Sequence, residues 1–481
     1  MLSCTKSVSL VSFLRLHPIS ALIVLFFVIR LVSFFLQGQE GVQALICLLL
    51  ATCVAVLWFK KPQWSCTLVV GEMLLGGAGH FFEFFGLSLR VVLLVTLVLC
   101  FLITSFRTRT FPFLSLTNIQ KITGGIFLGF LAVAAILGLL SGHEERRIVQ
   151  DLLPYSFLLL VLPLTFCFKT KQDFLAVKPL LVAFLVSTAI WSLFLLFTFS
   201  FDIFEIHEPF YNWFRDIAAG KITDTGTGFF RIIAPEHLLI VPIFLVILSW
   251  NRMLTFRSLF FVLTISSIII LSINLSRAYF LGLVVGLIVL KWNHSWLLWT
   301  KKTILTLTLI GCIFTSLHLI VSTGKSFGWE LFGVRLLSFV ETTIEESTAN
   351  RMLLLPPIIE KIRQQPILGQ GLGAVITYTH PVTHMLVTTP HFDWGYLEMW
   401  VELGLVGSLF YLLLISSLLL TMYKQVPQNM EEKKLLIGFF AAIISLLIVN
   451  ITTPALFHVF GIFLLVSIYL ISHLHSKKYS E

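Results

Sequence analysis

Charge is what this chain has least of. Only 12% of its 481 residues are charged, while 57% are hydrophobic, and a soluble globular domain carries about twice that charged fraction. A soluble fold is therefore excluded, and the chain reads as a polytopic membrane protein. No small-residue cleavage site follows the first apolar run in FFLQGQE. The basic start with Lys6 and Arg15 and the run over 18–37 are accordingly expected to be an uncleaved first span.

Paired cysteines are missing as well. Cys4, Cys47, Cys53, Cys66, Cys100, Cys167 and Cys312 lie almost entirely in apolar segments and include no C-x-x-C. That pattern speaks against a redox motif and for inert thiols, packed or facing lipid. There is no visible repeat, Pro-rich tract or symmetry between halves, which leaves one continuous helical domain with a loop-borne cap. The net charge of +9 does not call for nucleic acid, because topology is the first explanation of basic residues in a membrane protein.

What is present is apolar sequence in lengths that cross a bilayer. About 20 residues cross the hydrocarbon core, and about fourteen stretches of that order run from 18–37 to 454–472, among them 64–85, 152–168, 257–275, 277–292 and 394–420. The expectation is an all-α polytopic membrane protein with about 12–14 transmembrane helices. It divides into a bundle over 1–322 with about 11 spans, a large periplasmic loop over 323–393, and about three spans over 394–481.

An N-terminus on the cytoplasmic side puts Lys60, Lys61, Lys121, Lys301, Lys302, Lys424, Lys433 and Lys434 on inner loops, and the C-terminus inside as well. The outer set is then nine arginines and three lysines: Arg90, Arg146, Arg147, Arg215, Lys221, Arg231, Arg277, Lys325, Arg335, Arg351, Lys361 and Arg363. Orientation needs charge alone, so the outer preference for arginine has another cause. Guanidinium forks grip phosphate bidentately and stay charged when desolvated, which suits a diphosphate ligand. The plainer alternative is pairing with acids such as Glu144, Glu145, Glu205 and Glu208. The long outer segment 201–230 mixes acids with aromatics and is expected to lie on the membrane surface.

One stretch, 347–407, does not read as membrane filler. It holds Arg351 ahead of an amphipathic run, the turn PILGQGLG over 366–373, and His380, His384, His391 and Asp393 before YLEMWVELG. The Gly-rich turn follows no buried strand and is not a dinucleotide fingerprint; it lets backbone approach a ligand or a neighbouring helix closely. The histidines with Asp393 lack the fixed register of a metal site, and no metal or other cofactor is expected. A neutral histidine instead suits a general base, with His391 nearest the helix start. Glu398 and Glu402 share one helix face, where they orient a partner, pair with an arginine or serve as the base. Upstream, Ser276-Arg277 sits between two apolar helices, and Arg30 lies inside the first span; an ionisable residue there is a functional candidate by default.

Arg351 with LLLPPIIEKIRQQPILGQGLGA, a loop ending in His, then YLEMWVELGLVG, resembles the O-antigen ligase and O-antigen polymerase superfamily, and Ser276-Arg277 resembles its upstream Ser-Arg element. The resemblance covers about 270–415. It implies a C-type glycosyltransferase-like bundle at the bacterial inner membrane, with no nucleic-acid partner and membrane lipids around it. The implied reaction is metal-independent, inverting transfer of a glycan from an undecaprenyl-diphosphate donor to an acceptor hydroxyl. The acceptor is lipid A-core in a ligase, a growing glycan in a polymerase, or a protein.

The same resemblance makes Arg277 and Arg351, aided by Arg335, the diphosphate clamp, with Ser276, Glu398 and Glu402 as substrate-binding neighbours, and His391 the base. An ungapped alignment puts Asp393-Trp394 where the family has His-Asn, so Asp393 is the other candidate base. Two other readings stand beside this one. A lipid-linked-glycan flippase would place ionisable residues at mid-membrane. A metal-dependent oligosaccharyltransferase would need an acidic pair in the first outer loop, where only Glu40 is found.

Overall fold

The computed structural model describes residues 18–109, 118–170, 172–173, 177–250, 259–293, 295–331, 333, 346–379, 385–424 and 430–477. Among them, eight helices are long and apolar enough to cross a membrane, from Pro18–Phe35 to Gly395–Lys424, and four shorter apolar helices accompany them. Among the described residues, strands are confined to three two-stranded hairpins. Large apolar side chains stay exposed along the helices, such as Leu49, Phe59, Leu139 and Leu413, as expected where lipid and not water is the neighbour. The chain is an all-α polytopic membrane protein.

Contacts divide it into two compact units. Unit 1 comprises Met1–Arg109, Phe166–Ile240 and Leu254–Asn274. The apolar run 64–85 is helical there only over Pro62–Leu75, because Gly76, Gly77 and Gly79 follow and the last two adopt positive φ, which ends a helix readily. The 201–230 segment buries part of its aromatic set inside the unit, while Phe201, Ile203 and Ile206 stay exposed. Trp213 is fully buried, stacks on Phe81 at 5.8 Å and donates its indole N–H to Ser33 Oγ at 3.2 Å. The short helix Pro209–Asp216 buries Tyr211, Trp213 and Phe214, each adding a large apolar contact to the unit.

Unit 1 also explains Arg30. Its guanidinium donates to Glu236 Oε1 at 2.8 Å and to the Leu75 carbonyl at 3.0 Å, and lies 3.3 Å from the Phe26 ring centroid. Arg90 is held in the same way, by Glu72 Oε2 at 3.0 Å and the Gly77 carbonyl at 2.7 Å. These buried cations are structural, each neutralised and hydrogen-bonded inside the unit.

Unit 2 comprises Thr110–Thr165, Val241–Met253 and Leu275–Glu481. Helix Arg277–Leu290 packs on helix Met430–Val449, and Gly395–Lys424 packs on Asn118–Leu140. Gly282 abuts Ser445 and Val449, while Trp292 meets Phe440 at 5.9 Å, so the first pair runs antiparallel. One end of this unit is basic: Trp292, Tyr423, Lys424 and Lys433 line a cavity of about 720 Å³. Near it, Lys302 donates to the carbonyls of Leu248 and Trp250 at 2.8 and 2.9 Å, satisfying acceptors left open where helix Ile240–Ser249 ends.

Candidate active site

Helix Gly395–Lys424 is broken. Gly404 has φ 64° and ψ −176°, which interrupts the ladder and would leave backbone groups without partners in a medium that offers none. The 366–373 turn supplies them. Gln370 N donates to Val401 O at 2.7 Å and Gly371 N to Glu402 O at 3.1 Å, while Leu405 N and Val406 N donate back to Pro366 O and Ile367 O at 3.0 and 3.1 Å. The neighbouring-helix role expected of the turn is the one it performs.

The same turn is pinned on its other side. Leu372 N donates to Ala134 O at 3.1 Å, and His143 Nδ1 donates to Leu372 O at 2.8 Å, which sets the His143 tautomer. Gly373 N donates to Asp151 Oδ2 at 2.8 Å. Gly371, at φ 87°, lies against the Gly138 backbone with no room for a Cβ, so glycine is required twice over at one position. The Gln370 side chain donates to the Lys361 carbonyl at 3.0 Å, tying the turn to the end of helix Glu346–Gln364.

That helix carries Arg351. Its apolar face, Leu354, Ile358 and Ile362, forms one core with Ala374, Ile376, Phe392 and Val401, against which Trp394, Leu397 and Trp400 pack. The Trp394 indole donates to the Arg351 carbonyl at 3.1 Å. Arg351 is thereby held beside the segment His391-Phe392-Asp393, in which Phe392 is the buried anchor and its two neighbours are exposed. His391 N donates to Thr389 Oγ1 at 3.1 Å. Asp393 has φ 56°, a left-handed conformation that aspartate tolerates better than most side chains. Trp394 O then accepts from Glu398 N at 2.8 Å, opening the helix.

Glu398 reaches back over that start and accepts from the Phe392 N–H, an arrangement like the acidic half of a capping box. Its Oε2 is buried and makes no hydrogen bond among the described residues. One turn on, Glu402 is 4% exposed and its carboxyl is hydrogen-bonded to that of Asp151. Such a bond holds one proton between two carboxyl groups. Beneath lies an aromatic floor of Tyr155, Phe127 and Tyr411, with Phe127 stacked on Tyr411 at 4.7 Å. His391 and Arg147 stand close enough for their charges to act on Asp151, and Asp393 is close enough to act on Glu398. Among the described residues no three of His, Cys, Asp and Glu converge as ligands of one metal ion.

Arg277 opens helix Arg277–Leu290 with Ser276 as the residue before it. Gly395 abuts Asn450 and Tyr396 donates to the Leu447 carbonyl at 2.7 Å. The C-terminal end of helix Met430–Val449 therefore touches the start of the broken helix. Arg277 lies five residues, about 7.5 Å, beyond Gly282 toward that end. The structure thus brings Arg351, His391, Asp393, Glu398 and Glu402 together and sets Ser276 and Arg277 at the same end of unit 2. Arg335, His380 and His384 lie outside the described residues.

Residues 259–412 match the family model described as O-antigen ligase. The match supports the O-antigen ligase superfamily for that stretch. It supports an O-antigen ligase/polymerase-type glycosyltransferase, in a chain whose apolar helices make it a multi-pass membrane protein. No curated protein and no solved structure matches it. The O-antigen ligase stretch takes in Ser276, Arg277, the turn, His391 and both glutamates, but not Asp151, His143 or Arg147. Arg147 is one of the outer arginines named from the sequence, while His143 and Asp151 escape a sequence reading that starts the apolar span at residue 152, one position after Asp151. The helix begins at Glu145, so Asp151 is an ionisable residue within a candidate span, which is the signal that would have marked it.

Proposed function

We propose that this protein transfers a glycan from an undecaprenyl-diphosphate donor to the lipid A-core acceptor at the outer face of the bacterial inner membrane. The observation that carries this reading is the convergence of Arg351, His391 and Asp393 around the broken helix, inside the stretch shared with O-antigen ligases. The lysine-rich end of unit 2, with its exposed Trp292, Trp296 and Tyr423, supports a cytoplasmic orientation for that end. The broken helix starts at the other end, at Gly395, and in this reading the convergent residues face the periplasm.

In this mechanism Arg351 and Arg277, with Arg335, grip the diphosphate and stabilise the charge that builds on it as the sugar–phosphate bond breaks. His391 takes the proton of the acceptor hydroxyl, whose oxygen attacks the anomeric carbon from the face opposite the diphosphate. One displacement inverts the configuration. His391 is favoured over Asp393 because the Asp151 carboxyl lies near enough to stabilise the positive charge the ring takes on with the acceptor's proton. Glu398 orients the base segment through Phe392.

The test is transfer in vitro from undecaprenyl-diphosphate glycan, with lipid A-core and free glycan repeat offered as separate acceptors. Wild type, His391→Ala and Asp393→Ala are compared. Transfer to the glycan repeat alone would make the protein a polymerase, and transfer unchanged by His391→Ala would sink the assigned base.

A further inference from the structure

The transfer chemistry is assigned to residues from 276 to 402, yet the structure ties that region to a carboxyl group far upstream. Gly373 N donates to Asp151 Oδ2 at 2.8 Å across 222 residues of sequence. The other attachments of Asp151 lead to the same place: its carboxyl bonds to that of Glu402, the residue whose backbone carbonyl accepts from Gly371 N. Ile148, one turn earlier on the same helix, fills the space beside Gly138 and Gly373. Asp151 therefore touches both partners of the helix break, the turn and the helix segment that precedes Gly404.

We infer that Asp151 is a positioning residue of the transfer site: it clamps the 366–373 turn to the Gly395–Leu403 segment and so fixes the base-bearing 391–393 segment that leads into it. The inference rests on the transfer reading for its kinetic consequence only. Two attachments carry it. The side of the clamp toward Gly373 is an ordinary charge-assisted N–H···O bond. The side toward Glu402 is a carboxyl–carboxyl hydrogen bond, in which one group donates and the other accepts. The groups around the pair are Glu398 on the broken helix, His391, Arg147 and Tyr155. A clamp of this kind acts on where the base stands, not on how tightly the donor is held. Its loss shows in kcat, because small misplacements of a reacting group lower rate steeply.

The experiment uses the full-length protein in nanodiscs, with Asp151→Ala and Asp151→Asn beside wild type, undecaprenyl-diphosphate glycan as donor and lipid A-core as acceptor. Asparagine keeps an oxygen to accept from Gly373 N and an amide to donate to Glu402; alanine keeps neither. Asp151→Ala is expected to lower kcat about tenfold or more with the donor KM within about threefold, and Asp151→Asn to stay within about fivefold of wild type. Hydrogen exchange of peptides spanning 366–376 is read on the same samples. It is expected to speed up in Asp151→Ala and not in Asp151→Asn, with peptides from Arg277–Leu290 unchanged in both. Unchanged exchange and kcat in Asp151→Ala would overturn the clamp. So would equal loss of kcat in both variants with exchange unaltered, since charge and not attachment would then be what counts. If wild type transfers nothing, the transfer reading fails by itself, and the exchange result still decides the clamp in either direction.

Discussion

Gln370 donates its backbone N–H to the Val401 carbonyl at 2.7 Å, joining a turn to a helix that has just lost its own continuation. Around this bond the other three of its kind close the break at Gly404. The site is therefore a feature of backbone pairing before it is one of side chains, and its stability is open to direct test.

Gly371→Ala places a methyl group against the Gly138 backbone at a left-handed φ. The conformation alone costs a non-glycine residue about 1–2 kcal/mol, and the overlap adds to it. The variant is expected to melt lower in detergent and to lose transfer. Gly125→Ala, in a helix with nothing within 4 Å of the added carbon, is the control, expected to be neutral or up to about 1 kcal/mol more stable. Equal melting temperatures for the two would contradict the packing described.

The diphosphate grip proposed for Arg351 predicts that lysine does not replace it. Arg351→Lys keeps a charge but loses the two-pronged grip on a diphosphate, so transfer is expected to fall about tenfold or more. Arg277→Lys should behave alike. Initial rates over a series of donor concentrations check this; wild-type rates in either lysine variant would remove that residue from the clamp.

Base identity separates by substitution. His391→Ala is expected to lower kcat by about 100-fold or more, the usual contribution of a general base. Asp393→Asn and Asp393→Gly are expected to stay within about fivefold, since both tolerate the left-handed backbone there. The reverse pattern would assign the base to Asp393.

In unit 1, Glu236→Ala strips Arg30 of its buried counter-charge. Loss of one partner of a buried pair destabilises by about 3–5 kcal/mol. The double variant Arg30→Met with Glu236→Leu is expected to recover most of that, measured as melting temperature. A single variant as stable as wild type would mean that the pair is hydrated and not buried.

Much of this architecture can be read along the chain. Hydropathy marks the spans because each helix satisfies its own backbone, and that condition is local. The stretch 347–407 stands out for the same reason in reverse, since polar and glycine-rich sequence is conspicuous among apolar helices. Arg351, His391 and the two glutamates were accessible to that reading, and the family match covers them. The amphipathic run after Arg351 is visible as well, and it becomes helix Glu346–Gln364; the core it shares with Phe392 and Trp394 is not.

The sequence by itself determined a polytopic helical membrane protein and marked the segment proposed to carry its chemistry, because apolar length and residue type are properties of single segments. Tertiary structure alone decided that the turn repairs the break at Gly404, that Arg30 is internal to unit 1, and that Asp151 bonds to the turn and to Glu402. Each of these depends on hydrogen bonds between distant segments, 45 and 206 residues apart for Arg30 and 222 for Asp151. A donor and an acceptor carry no mark of each other in the chain, and only the packing that removes both from other partners pairs them.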